Sequence, residues 1–149
     1  MEKLKIFLDS NVLISGLYSE KGGPGIILDH FIAGKIGIII SQKVLNEVIE
    51  VLSEKLQKML PFLQEFLLSY PPEIIKDAKP ENIKKWSGLV NEDDAMILES
   101  AMSCEPDYFI TGDKHFFNNP LIKKRSGLKI LRPEGFALER SNGRYRNKN

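Results

Sequence analysis

The stretch Ile6-Phe7-Leu8-Asp9-Ser10-Asn11-Val12-Leu13-Ile14 decides the reading of this chain. With Leu4 and Lys5 before it, Ile6 to Leu8 reads as a short strand buried on both faces, because a strand with one wet face would alternate apolar and polar residues. The polar triplet Asp9-Ser10-Asn11 interrupts the apolar run. Ser10 or Asn11 suits the N-cap of a helix that begins near Asn11, since a side-chain oxygen there can accept from a free N–H of the first turn. A buried strand running directly into a helix opens a βα unit.

Outward from this stretch the same alternation recurs. Gly22-Gly23-Pro24 reads as a turn, with Pro24 opening a helix through about Ala33 that Gly34-Lys35 ends. Ile36 to Ile40 is a β-branched strand run. Ser41 then caps a helix from Gln42 to about Leu56, where Val44, Leu45, Val48, Val51, Leu52 and Leu56 recur at helical spacing. A second apolar helix, about Lys58 to Leu68, stops at Pro71-Pro72. Glu73 to Lys76 reads as a short strand, and Asn82 to Trp86 as a helical turn with Trp86 packing rather than stacking on a base. Asn91 caps a helix through about Met102, Tyr108 to Thr111 is a strand, and Lys114 to Asn118 is a helical turn. Leu128 to Leu131 is the last strand, and Pro133 opens a closing helix, Glu134 to Leu138. Strands alternating with helices predict an α/β fold with a mostly parallel sheet covered on both faces. Right-handed crossovers place the strand C-termini on one edge, where the sites of open α/β sheets form.

The 149 residues are the length of one ordinary domain, enough to bury about two-thirds of the unfolded surface without a disulfide or metal staple. Residues 1–139 read as that domain and 140–149 as a basic tail. Cys104 is the one cysteine, so no internal disulfide forms, which suits a reducing cytoplasm. It reads as a small core hydrophobe at a helix end. Met1 to Lys5 lacks the apolar stretch of a signal peptide, and no apolar run nears the ~20 residues of a membrane span. The expected location is therefore cytoplasmic, away from membranes. The net charge of +1 is uneven: Arg140, Arg144, Arg146 and Lys148 lie in the last ten residues, and removing them leaves the body at about −3. Bulk positive charge is thus excluded as the means of holding nucleic acid. Any RNA contact would be local, helped by a metal and by the tail, which reads equally well as a solubilising end.

Four acids carry the chemistry. Asp9 and Asp113 each follow a predicted strand, and in one parallel sheet both point at the same crevice, although either alone would serve as a helix cap. Glu47 lies on or beside the stripe of Val44, Val48 and Val51, where a glutamate is rarely buried without a partner. Its neighbour Glu50 falls toward the stripe's edge. Asp94 starts the inward face of its helix, with Leu98 and Ala101 below it, whereas Glu92 and Asp93 read as exposed acids favouring the helix dipole. Two carboxylates ~5 Å apart repel by roughly 3 kcal/mol at an effective dielectric of ~20. A divalent cation removes that penalty. Oxygen ligands select hard ions such as Mg²⁺, Mn²⁺ or Ca²⁺, and no His/Cys set suggests zinc. Such an ion can activate water for attack on a phosphodiester.

Read together, these segments resemble the PIN-domain family. The opening stretch resembles its first motif, and Ser41-Gln42-Lys43-Val44-Leu45-Asn46-Glu47-Val48 its second. Glu92-Asp93-Asp94-Ala95-Met96-Ile97-Leu98-Glu99-Ser100-Ala101 is similar to the third, and Tyr108-Phe109-Ile110-Thr111-Gly112-Asp113-Lys114 to the fourth. Leu128 to Phe136 resembles the family's last strand and helix. The resemblance spans about residues 4–138. It implies a three-layer α/β/α sandwich with a five-stranded, mostly parallel sheet. It implies a ribonuclease dependent on Mg²⁺ or Mn²⁺, as in VapC-type toxins of toxin–antitoxin pairs, cutting single-stranded RNA, with an antitoxin partner and homodimers among the expectations. Asp9, Glu47, Asp94 and Asp113 would be the catalytic, metal-binding acids, and Asn11 and Thr111 polar supports that orient Asp9 or the phosphate. The chain departs from the pattern at His115, where many members carry a further Asp. His115 reads as a surface residue. That departure keeps open an alternative, a PIN-fold RNA-binding or scaffold module without catalysis, and a nuclease acting on DNA is a third reading. A haloacid-dehalogenase phosphatase would need an Asp where Asn11 stands, a receiver domain would need paired acids after its first strand, and Gly22-Gly23-Pro24-Gly25 lacks the Lys-Ser/Thr of a P-loop.

Overall fold

A computed structural model describes residues 3–136. The expected basic tail, 140–149, and the end of the expected closing helix lie outside the described residues. Five strands form one sheet in the order β3-β2-β1-β4-β5, with β1 at Leu4–Leu8, β2 at Ile36–Ser41, β3 at Glu73–Ile75, β4 at Tyr108–Ile110 and β5 at Ile130–Leu131. All four pairings are parallel, so the sheet is wholly rather than mostly parallel. Its helices are α1 (Ser10–Tyr18), α2 (Gly22–Ile32), α3 (Gln42–Lys55), α4 (Leu60–Ser69), α5 (Glu92–Ser103) and α6 (Pro120–Ser126). They flank the sheet in a PIN-like α/β/α arrangement. Ile6, Phe7 and Leu8 are all fully buried, and because successive strand side chains point to opposite faces, both faces of β1 are covered.

The order of the strands creates the site. The chain builds outward from β1 through β2 to β3, then returns to the other side of β1 as β4. The strand order therefore reverses between β1 and β4, and such a switch point leaves a crevice at the strand C-termini. The Asp9 N–H donates to the Ile110 carbonyl at 3.0 Å, so the pairing of β1 with β4 continues to the first acidic residue. Beneath it, Phe109 meets Phe7 edge-on at 5.6 Å and Phe116 at 5.2 Å. Phe116 belongs to the 3-10 turn Lys114–Phe116, so this aromatic row fixes the loop that carries Asp113 and His115.

Three local expectations are corrected. The N-cap of α1 is Asp9 itself, whose carboxylate accepts from the Ser10 N–H, rather than Ser10 or Asn11. The expected turn Gly22-Gly23-Pro24 is the first turn of α2. A Cβ on Gly23 would lie 2.7 Å from the Pro133 backbone, and one on Gly25 2.4 Å from the Glu20 carbonyl, so glycine is set there by close backbone approach. α6 was not foreseen, although Asn119 caps it, Pro120 opens it and Gly127 closes it in the left-handed conformation. Trp86 is buried as a packing residue, and its ring N–H donates to the buried Glu99 at 2.8 Å.

Phe109→Ala should cost about 3–5 kcal/mol of unfolding free energy in urea melts, because it empties the middle of the aromatic row. A loss below about 1 kcal/mol would mean that the row does not anchor the loop.

Candidate metal centre

Asp9 sits at the end of β1 with 3% of its surface exposed. One carboxylate oxygen, Oδ1, accepts from the Ser10 N–H at 2.8 Å. The other, Oδ2, accepts from the Thr111 hydroxyl at 2.7 Å and the Asn11 amide at 3.1 Å. Asn11 also accepts from the Gly112 N–H at 2.8 Å, which ties the start of α1 to the loop after β4. Thr111 is fully buried and accepts from the Asp113 N–H at 3.0 Å, so one hydroxyl serves both aspartates. Burial pushes the Asp9 carboxyl up against the downward pull of these donors, and the charge of Asp113 adds to the rise.

Glu47, half-buried on α3, accepts from the Ser10 hydroxyl at 3.1 Å. Ser10 therefore bridges Asp9 and Glu47. Burial and the Asp9 charge hold the Glu47 carboxyl above its ordinary value, opposed by the Ser10 hydroxyl and by Lys43. The Lys43 ammonium is committed to Asp93, 3.0 Å away. Asp93 is exposed, in line with its reading as a surface acid.

Asp94 stands in the first turn of α5, where its N–H donates to Asn91. Its carboxylate accepts no hydrogen bond from the described residues. Desolvation, then the charges of Asp113 and Asp9, push it from 3.8 to about 6. Asp113 accepts from the His115 N–H at 2.9 Å and pairs with the His115 ring at 2.9 Å. Donor atoms of Asp94, Asp113 and His115 all lie within 4.8 Å of one another. Asp94 and His115 also line a cleft of ≈ 300 Å³ with Val90, Asn91, Asn118 and Asn119.

The four acids named from the sequence thus share one crevice: Ser10 bridges Asp9 and Glu47, the Thr111 hydroxyl joins Asp9 to the Asp113 backbone, and Asp113 and Asp94 approach within 4.8 Å. They are not equivalent. Asp9, Glu47 and Asp113 accept from protein donors, whereas Asp94, which accepts from none of the described residues, lines the cleft beside the His115 imidazole. Among the described residues no lysine or arginine forms an ion pair with any of the four. A crowded, under-neutralised set of oxygen donors fits a hard divalent cation. Ser10 and His115 are the members that sequence reading passed over. Ser10 was visible only as a cap candidate, and His115 only as a departure from a pattern, although its place two residues after Asp113 in a turn is a usable signal.

The class that fold and site define is a small, wholly parallel α/β domain with an acid-lined crevice at its switch point. The family model of the PIN domain matches residues 5–115, and the chain belongs to that family. It is similar to the protein MJ1680 of Methanocaldococcus jannaschii, at 42% identity over 154 residues, covering 92% of each chain. Among solved structures it resembles VapBC2 from Rickettsia felis bound to a DNA fragment from its promoter, with TM-score 0.64, 19% identity and 87% and 98% of the two chains covered. It also resembles PAE2754 from Pyrobaculum aerophilum, with TM-score 0.65, 13% identity and 91% and 88% covered. FitAcB from Neisseria gonorrhoeae gives TM-score 0.59 at 19% identity, with 86% and 97% covered. At these identities the solved structures speak for the fold. No helix among the described residues is long and apolar enough to cross a membrane.

Two measurements probe the centre without substrate. Thr111→Val removes a donor to a buried carboxylate and should cost about 1–3 kcal/mol in denaturant melts; an unchanged midpoint would show that Asp9 does not depend on it. Asp94 holds its proton more tightly folded, near 6, than at its ordinary 3.8, so its contribution to stability falls as pH rises between those values. Metal-free Asp94→Asn should therefore melt about 2–4 °C above the parent at pH 7, roughly 1 kcal/mol after discounting for solvent screening, and with little difference at about pH 4. The opposite ordering at pH 7 would refute the repulsion.

Proposed function

We propose that this chain is a divalent-metal-dependent endoribonuclease that cuts single-stranded RNA. The observation that carries this reading is the convergence of Asp9, Glu47, Asp94 and Asp113 on one crevice with no lysine or arginine among the described residues paired to them. Membership of a family whose members are generally nucleases supports it.

Asp94 and Asp113 are the acids that would hold Mg²⁺ or Mn²⁺ from the cleft side, with Asp9 at the base and Glu47 beside it. When bound, such an ion supplies charge neutralisation at the phosphodiester and a water of lowered pKa. Thr111 and Asn11 keep the Asp9 oxygens aimed along the crevice, and Ser10 keeps Glu47 turned toward Asp9. The cleft beside Asp94 is lined by Asn91, Asn118 and Asn119, and with the oxygens of Asn91 and Asn119 capping helices, their amide nitrogens are the groups that can donate to a phosphate or a base edge.

A protein partner belongs to the same reading. Phe62 and Leu68 on α4 are 58% and 79% exposed, and Tyr18 and Ile32 stand exposed on α1 and α2. Such apolar surface is covered when an antitoxin or a second copy of the chain binds. The resemblance to VapBC2 and FitAcB supports an antitoxin.

Asp94→Asn and Asp113→Asn should each lower cleavage of a single-stranded RNA oligonucleotide at least a hundredfold while leaving the circular dichroism of the parent, on the order of the loss expected when an electrostatic group is removed. Cleavage that persists in excess EDTA would sink the proposal. DNA of the same sequence cut equally fast would move the reading to a general nuclease, and a melting curve indifferent to millimolar metal would favour the inactive module.

A further inference from the structure

We infer that His115 is a ligand of the metal centre, standing where an acid is expected, and that its nitrogen tilts the centre toward Mn²⁺ over Mg²⁺. The inference rests on the metal-centre reading proposed above. The His115 side chain is 63% exposed, yet its backbone is fixed in place. Its backbone N–H donates to Asp113 Oδ1 at 2.9 Å, and the next residue, Phe116, is fully buried against Phe109. The turn therefore cannot swing away, and the imidazole leaves it on the side of Asp113 and Asp94.

The His115 Nδ1 lies 2.9 Å from Asp113 Oδ1. Adjacent ligands of an ion with bonds of ~2.1 Å stand about 3 Å apart, so the two atoms already have the spacing of neighbouring ligands. The nearest Asp94 oxygen lies within 4.8 Å of both, and its carboxylate accepts from no donor among the described residues. His115 and Asp94 face the same cleft, so an ion can reach all three. Replacing an oxygen ligand by an imidazole nitrogen matters little to Mn²⁺, which accepts both. It weakens the site for Mg²⁺, which is harder and demands oxygen.

The test titrates MnCl₂ and MgCl₂ into the full chain, into His115→Ala and into His115→Asp, at about pH 8, where an ordinary imidazole is uncharged. Affinity is read by calorimetry and by melting temperature. Electron-spin-echo spectra of bound Mn²⁺ report directly on nitrogen coordination. The parent should bind Mn²⁺ at least about tenfold tighter than Mg²⁺ and show ¹⁴N modulation from the ring. His115→Ala should lose that modulation and about tenfold in Mn²⁺ affinity, with little change for Mg²⁺, while His115→Asp should move the preference back toward Mg²⁺. Mn²⁺ bound without ¹⁴N modulation, and equally tightly by His115→Ala, overturns the inference and leaves the metal centre standing. A folded parent that binds neither ion overturns the metal centre and this inference together.

Discussion

The structure turns on one buried charge. Asp9 occupies the end of the central strand, where 3% exposure deprives its carboxylate of water. A carboxylate there must be supplied with donors by the protein or give up its charge. The donors come from two directions: Ser10 and Asn11 from the helix that Asp9 itself caps, and Thr111 from the end of the neighbouring strand. The demands of a single side chain thus lock β1, α1 and the loop after β4 into one geometry. Gly112 follows from the same lock, because a Cβ there would stand 3.1 Å from the Asn11 oxygen.

From that point outward the charge is handled with steadily fewer protein donors. Among the described residues Asp9 has three, Glu47 has the Ser10 hydroxyl, and Asp94 has none. Burial raises all three carboxyls, and repulsion raises them further. A stability-optimised fold would place a lysine here. Lys43 is near enough to act on Glu47, yet its ammonium is drawn off by Asp93 at 3.0 Å. Perturbed carboxyls gathered in a cleft are the pattern expected when folding free energy is given up for chemistry.

Rigid elements hold this arrangement open. The acids sit just past β1, in the second turn of α3, in the first turn of α5 and at the cap of the short turn after β4 rather than on long loops, and the Phe7, Phe109 and Phe116 row packs together beneath them. Packing of that density leaves the crevice little freedom to collapse and bring the carboxylates together or apart. The exposed Tyr18, Ile32, Phe62 and Leu68 lie on α1, α2 and α4, and none of them lines the cleft of Asp94 and His115.

Much of this was legible in the sequence. Unbroken apolar runs announced buried strands, Ser41 and Asn91 announced their helices, and the acids after strands or on apolar stripes marked themselves as misplaced unless something required them. Those signals are local, resting on the periods of strand and helix and on the cost of burying charge. What the chain alone withheld was everything set by closeness in space. Asp9 rather than Ser10 caps α1 because Thr111, a hundred residues away, turns the carboxylate toward the helix start. The run Gly22-Gly23-Pro24-Gly25 looks like a turn because it is rich in glycine, but Gly23 and Gly25 stand in a helix where the backbone of residues 133 and 20 leaves no room for a Cβ. Helix α6 buries little beyond Ile122, so its apolar pattern was too thin to read and only its caps betrayed it. His115 is the exposed residue that its reading expected, and what the sequence withheld is that Asp94 lies within 4.8 Å of it, brought there by the parallel pairing of β1 with β4.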